Sequence, residues 1–175
     1  IEAEVERAEE LRATRSELVE QLTDQRTKID QIEAEAVDSF NGHMESILDL
    51  LGYGNIERIW IERIEAPTGD DGQTRFELHI VRTTDNGTAY EDTIDHLSES
   101  EREVTGLIFA LAGYLVHDLH ETVPFMLLDS LEAIDSNRIA ALVEYFSDYA
   151  DFLVVALLSE DAQALDDAFT RVRSI

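Results

Sequence analysis

About forty residues without a glycine or proline open this chain, and their apolar side chains return at alternating spacings of three and four. Ala8, Leu11, Arg15, Leu18, Leu22, Gln25, Ile29, Ile32 and Ala36 form one seam, and seven of these nine positions are apolar. That is the a/d pattern of a heptad repeat. A helix through residues 1–40 would be about 60 Å long at 1.5 Å per residue. The stripe is too narrow for a globular core but suits one partner helix. No second helix of that length is written in the sequence, so the expected partner is another chain or a segment outside this one. The helical pattern continues through Phe40, Met44, Ile47, Leu48 and Leu51 and stops at Gly52-Tyr53-Gly54. The reading divides the chain into a coiled-coil helix, 1–40, and a globular lobe, 41–175.

The lobe begins with alternating segments. Ile56 to Ile64 and Arg75 to Arg82 have the period of strands, joined by the turn-rich stretch Ala66 to Gly72. Asp85-Asn86-Gly87 then leads to a weaker strand near Tyr90 to Ile94, which makes a small antiparallel meander. After His96 the pattern changes. Ser98 is a good N-cap and Glu101 follows three residues later, the signature of a capping box. The helix it opens runs through Val104, Leu107, Ile108, Leu111, Leu115 and Leu119, apolar nearly all round and expected to be buried. Pro124 to Asp129 reads as a short apolar strand ending in a carboxylate and Ser136 to Asp148 as a helix. Phe152 to Leu158 reads as a second buried strand and Asp161 to Phe169 as a final helix. Strand, helix, strand, helix predicts an α/β lobe with a short parallel sheet flanked by helices and a ligand edge at the carboxyl ends of its strands.

Charge narrows the function. There are 39 Asp and Glu against 13 Lys and Arg, a net charge of −26, and Lys28 is the only lysine. An acidic excess with almost no lysine fits concentrated salt, where the Debye length is about 3 Å and carboxylates repel one another weakly; the alternative is an acidic protein of ordinary cytosol. Such a surface repels phosphates, so broad nucleic-acid binding by this chain alone is not expected. No cysteine is present, which excludes disulfides, thiolate zinc sites and a thiol nucleophile. The longest uncharged run, Val104 to Val116, falls short of the roughly 20 apolar residues that span a bilayer, so no membrane role is expected.

Four features occur in order: a coiled-coil helix entering a lobe, Leu97-Ser98-Glu99-Ser100-Glu101 opening a helix, Phe125-Met126-Leu127-Leu128-Asp129, and the loop Glu132 to Asn137 before another apolar strand. Together they resemble the C-terminal lobe of the ABC-type ATPase head of structural maintenance of chromosomes (SMC) proteins, most of all the archaea-specific SMC-related group of salt-loving archaea. The resemblance covers nearly the whole chain.

It implies a role for each motif. Leu97 to Glu101 stands where the family has its signature, Leu-Ser-Gly-Gly followed by Gln or Glu, with Glu99 and Ser100 in place of the glycines. Ser98, Ser100 and Glu101 would then face the γ-phosphate of ATP held by the opposite head, where amides and the positive end of a helix dipole suit an anion; alternatively Ser98 only caps its helix. Phe125 to Asp129 matches the Walker B strand, whose Asp129 would hold Mg²⁺ through water; the plainer reading is a strand-ending Asp. The family's next residue is a Glu that polarises water. Ser130 stands there instead, which leaves Glu132 as the candidate catalytic base in a loop one residue shorter than usual. Asp135 resembles the interface D-loop, or simply caps the next helix. Ser159 occupies the place of the family's switch His, which argues for altered or slow hydrolysis.

A phosphate-binding loop needs a glycine-rich backbone and a lysine. This sequence has neither in that arrangement, so no activity is expected from the chain alone. The resemblance implies an ATPase only when it is joined to an N-terminal lobe carrying Walker A, with a second head, a homodimer, and DNA as partners. The setting would be the cytoplasmic nucleoid, in chromosome organisation, segregation or DNA repair. The competing reading is a structural coiled-coil dimerisation module with degenerate nucleotide motifs. His117 and His120 could share a helix face as metal ligands, but no third ligand is evident and an exposed helix end explains them.

Overall fold

A computed structural model describes residues 2–64, 74–84 and 86–172. The chain divides into two compact units, Ile1–Val37 and Asp38–Ile175. The first is helical throughout its described residues and belongs to α1, Glu2–Leu51. Its seam residues Leu11, Leu18, Leu22, Ile29 and Ile32 are each more than half exposed. A stripe of that kind covers no core within its own unit.

In the second unit, the last turns of α1 enter the core through Met44, Ile47, Leu48 and Leu51. Gly52, at φ +53°, ends the helix and returns its amide to Leu48 O at 2.9 Å, a left-handed cap that glycine adopts without a Cβ penalty. Three strands follow, β1 (Ile56–Ile64), β2 (Arg75–Thr83) and β3 (Ala89–Asp92), in an antiparallel sheet of order β1-β2-β3. A register irregularity between Ile56 and Arg58 lets Ile56 and Ile59, three residues apart, both be buried. Asn41 pins the helix root to the sheet: its amide donates to Ile61 O at 3.0 Å, and Ile61 N–H donates to Asn41 Oδ1 at 2.7 Å. The connection expected at Ala66 to Gly72, and Asp85 of the second turn, lie outside the described residues.

A short 3-10 turn, Ile94–His96, leads to α2 (Glu99–Val116), then α3 (Leu119–Thr122), β4 (Phe125–Leu128), α4 (Ser136–Ser147) and β5 (Phe152–Val155). β4 and β5 pair in parallel with Leu128 opposite Val155. Two bonds to flanking residues extend the ladder, Phe152 N–H to Pro124 O and Ala156 N–H to Leu128 O, both 2.9 Å. Val104, Ile108, Leu111, Ala112 and Leu115 of α2 pack with Met126 and Leu128 of β4 and Ile139, Leu142, Val143 and Phe146 of α4. The α/β class, with its meander and short parallel sheet, is as the sequence predicts.

Four details depart from expectation. α2 is not buried all round: Phe109 is 43% exposed, so one face packs and the other does not. It also stops short of Leu119, because Asp118 takes a left-handed φ of +46° and α3 restarts the chain. β4 and β5 are buried on one face only, since Phe125, Leu127, Phe152 and Val154 alternate outward and are about half exposed or more. The final helix is absent: one 3-10 turn, Asp161–Gln163, precedes irregular chain. There Asp166 Oδ1 accepts the Ala168 amide at 2.8 Å, a side-chain bond that competes with helical pairing.

Candidate functional site

At the start of α2, Ser98 is extended and Glu101 lies three residues on, so each side chain can reach the other's backbone amide. The Glu101 amide donates to Ser98 Oγ at 3.4 Å, and the Ser98 amide donates to Glu101 Oε2 at 2.8 Å. The Ser98 hydroxyl donates to the same Oε2 at 2.7 Å. Ser98 and Ser100 are exposed, with their hydroxyls 3.4 Å apart, while Glu101 is 3% exposed. Its second oxygen accepts from Arg82 Nη2 at 2.7 Å, and Arg82 Nη1 donates to Asp92 at 3.0 Å. Burial acts to raise the Glu101 pKa, but the Ser98 hydroxyl and amide together with Arg82 outweigh it and hold the carboxyl below its usual range. Asp92 is likewise held low, first by Arg82, then by the Thr93 amide and His96. Of the expected signature residues, Ser98 and Ser100 are open to solvent, whereas Glu101 is turned inward with both oxygens engaged.

Asp129 follows the last residue of β4, at the carboxyl edge of the parallel sheet, and is exposed. Its Oδ1 accepts the Ser130 amide at 2.9 Å. Ser130 itself adopts a left-handed φ of +59°. Asp129, Ser130, Ala133 and Ile134 line one recess of about 260 Å³ together with Glu103, Val104 and Leu107 of α2. The body of the helix that Ser98 opens and the strand-end Asp129 therefore meet at one depression.

Leu131 and Ile134 are buried and anchor the following turn, closed by Ile134 N–H to Leu131 O at 3.0 Å. Glu132 is exposed on that turn and is not among the residues lining the recess. Asp135 is the N-cap of α4: its Oδ1 accepts the amides of Asn137 and Arg138, each at 3.2 Å. Its Oδ2 lies 3.0 Å from Arg138 Nε, and Arg138 Nη2 donates to Gly52 O at 2.8 Å. The capping alternative for Asp135 is thus realised.

Ser159 is exposed three residues past the last β5 pairing amide, at Ala156. His117 caps the end of α2, and His120 packs edge-on against Tyr149 at 5.6 Å. Among the described residues, no group of three His, Cys, Asp or Glu could hold a metal ion by itself. Mg²⁺ keeps most of its waters and takes one or two carboxylates, so the residues that could hold it here are Asp129 and, lining the same recess, Glu103. For ATP, the exposed Ser98 and Ser100 hydroxyls are donors at the helix start, but no lysine or phosphate loop accompanies them. Two residues escape a reading of the sequence: Arg82, nineteen positions before Glu101, and Glu103, which lines the same recess as Asp129.

Among the described residues, no helix is long and apolar enough to cross a membrane. No protein-family model matches the chain. Over 151 residues it is 63% identical to the Smc-like protein Sph3 of Haloferax volcanii, covering 84% of this chain and 23% of that protein. It is 58% identical over 160 residues to the Smc-like protein Sph2 of Halobacterium salinarum, covering 87% and 24%. The chain spans about a quarter of the length of these curated relatives. Its fold is similar to the Smc head domain with a coiled coil and joint from Pyrococcus yayanosii, with 19% identity, 90% of this chain, 29% of that chain and a TM-score of 0.62. It is also similar to the Smc head domain with an extended coiled coil from Pyrococcus furiosus, bound there to the C-terminal domain of ScpA. That match has 20% identity, 90% of this chain, 38% of that chain and a TM-score of 0.61.

Proposed function

We propose, from the premise that the chain is an SMC-like C-terminal head lobe most like those of haloarchaeal Smc-like proteins, that it supplies one side of an ATP-dependent head-to-head clamp. The observation that carries this reading is the single recess shared by α2 and the Asp129 strand end. Asp129 would hold Mg²⁺ through water beside nucleotide bound by a second lobe, which brings the phosphate loop and lysine this sequence lacks. Bound Mg²⁺ supplies charge neutralisation at the phosphates. Ser98 and Ser100 would offer hydroxyls to the γ-phosphate on the opposing head, and Glu101 would shape that helix start from within. Asp135 would place the loop between heads by capping α4.

The other lobe has a surface to meet. Phe125, Leu127, Phe152 and Val154 form an exposed apolar face on a sheet of only two strands, which a neighbouring lobe would cover. The exposed seam of α1 would take a partner helix. Glu132, on the loop after Asp129, would be the base, and Ser130 and Ser159 at the two places described above argue for altered or slow hydrolysis. In this reading the assembled protein works at the nucleoid, in the cytoplasm, on DNA held by its arms, in chromosome organisation, segregation or repair. The chain alone turns over no ATP.

The test uses the protein together with its nucleotide-binding lobe. Ser98→Arg should abolish ATP-driven head association while leaving nucleotide binding intact, and Asp129→Ala should remove the Mg²⁺ dependence of binding. Undiminished association in Ser98→Arg and unchanged affinity in Asp129→Ala would favour the second reading, a structural dimerisation module. The inward-turned Glu101 and the residues Glu99, Ser130 and Ser159 speak for that alternative.

A further inference from the structure

Arg82 fastens both ends of the segment that leads into α2. Its Nη1 holds Asp92, the last residue of β3, at 3.0 Å, and its Nη2 holds Glu101, in the first turn of α2, at 2.7 Å. The two carboxylate side chains are only 8% and 4% exposed, so these are enclosed partners and not surface pairs. Asp92 Oδ1 also accepts the Thr93 amide at 2.9 Å and faces His96 Nδ1 at 2.8 Å. The residues between the two anchors include the 3-10 turn, the buried Leu97 and the exposed Ser98. Tyr90 lies beneath the guanidinium, 6.0 Å from its ring centre.

The same carboxylate that Arg82 holds is the acceptor of the Ser98 hydroxyl. An ionised phosphate oxygen only accepts, so the Ser98 hydroxyl must turn its donation from Glu101 to that oxygen. When it does, Glu101 Oε2 keeps the Ser98 amide and Oε1 keeps Arg82, so the buried carboxylate is never left bare. An Arg fork can serve Asp92 and Glu101 together, which a lysine ammonium cannot do with the same geometry.

We propose that Arg82 is a positioning residue for Ser98: acting through Glu101, it sets the Ser98 hydroxyl and lets it turn from its own helix cap to an incoming phosphate. This rests on the reading of Ser98 as the cross-head contact. It ties that contact to the β-meander, because Arg82 sits in β2 and Asp92 in β3.

The experiment compares Arg82→Gln and Arg82→Lys with the unaltered protein, joined to its nucleotide-binding lobe, using ATP as the probe. Arg82→Gln should raise the ATP concentration for half-maximal head association about tenfold, the size expected for one charged hydrogen bond. Nucleotide binding within each head should stay unchanged. Arg82→Lys, which keeps the charge and is the safer variant to fold, should recover part of the loss. Hydrogen exchange on this chain without ATP should show faster exchange at the Ser98 amide in Arg82→Gln. Unchanged association in folded Arg82→Gln and Arg82→Lys would overturn the proposal, as would unchanged Ser98 amide exchange. If Ser98→Arg abolishes association and the Arg82 variants do not change it, only this inference falls. If Ser98→Arg has no effect, the underlying reading falls with it.

Discussion

The Ser98 hydroxyl and the Ser98 amide both donate to Oε2 of Glu101, at 2.7 and 2.8 Å, so one buried oxygen holds the start of α2 in place. Removing the serine hydroxyl costs a cap, and removing the carboxylate also strands Arg82. Ser98→Ala should lower stability by about 1 kcal/mol, and Glu101→Ala by about 2–3 kcal/mol. Urea unfolding in concentrated salt reads both. Equal losses would mean that the Arg82 contact contributes nothing.

Acid should attack the same network. Asp92 and Glu101 both have folded pKa values held below their ordinary ones. The stabilisation they contribute is complete above the unfolded carboxylate range, near pH 4, and is lost as pH falls through the depressed folded values. Unfolding measured from pH 5 downward should therefore show a steeper loss in the unaltered chain than in the double variant Asp92→Asn, Glu101→Gln. Parallel curves would contradict it.

The Tyr145 and Tyr149 hydroxyls lie 3.4 Å apart. That hydrogen bond, then burial and the neighbouring phenol, push Tyr145 up to about 12. A raised value means the folded state keeps its proton longer, so stability should fall as pH rises from about 10, the ordinary tyrosine value, towards the folded one. Tyrosinate absorbance should show a late titration that moves down in Tyr149→Phe, apart from the one that burial raises at Tyr114. A titration unmoved by that substitution would show that Tyr149 is not the cause.

The outward face of the parallel pair offers a separate test. Leu127 is 61% exposed, so Leu127→Ser should change the stability of this chain by no more than about 0.5 kcal/mol. Association with the complementary lobe should nevertheless weaken, as measured by pull-down of separately expressed lobes. A large stability loss with unchanged association would show that the face belongs to the lobe's own core.

What could be read from the sequence was local. The heptad seam, the strand alternation from Ile56 and from Arg75, the Ser98–Glu101 box and the Asp135 cap each rest on residues within a turn or two of one another, where spacing alone sets the geometry. The parts that were not legible depend on packing between distant segments. Arg82 meets Glu101 because β2 lies near the start of α2, and Glu103 and Asp129 line one recess because α2 and β4 share a core. The apolar run Phe152 to Leu158 looked buried because hydrophobicity alone does not reveal how many layers cover a strand. The final helix failed at Asp166, whose side chain takes an amide that the helix needed.

The left-handed backbone at Ser130 limits how this loop can change. Asn, Asp and Gly occupy that region readily, whereas longer and branched side chains are disfavoured. Aspartate at position 130 would fit this turn more easily than glutamate, which is disfavoured at positive φ. In the proposed clamp, a side chain placed at position 130 would therefore be screened by one torsion angle before its acidity mattered.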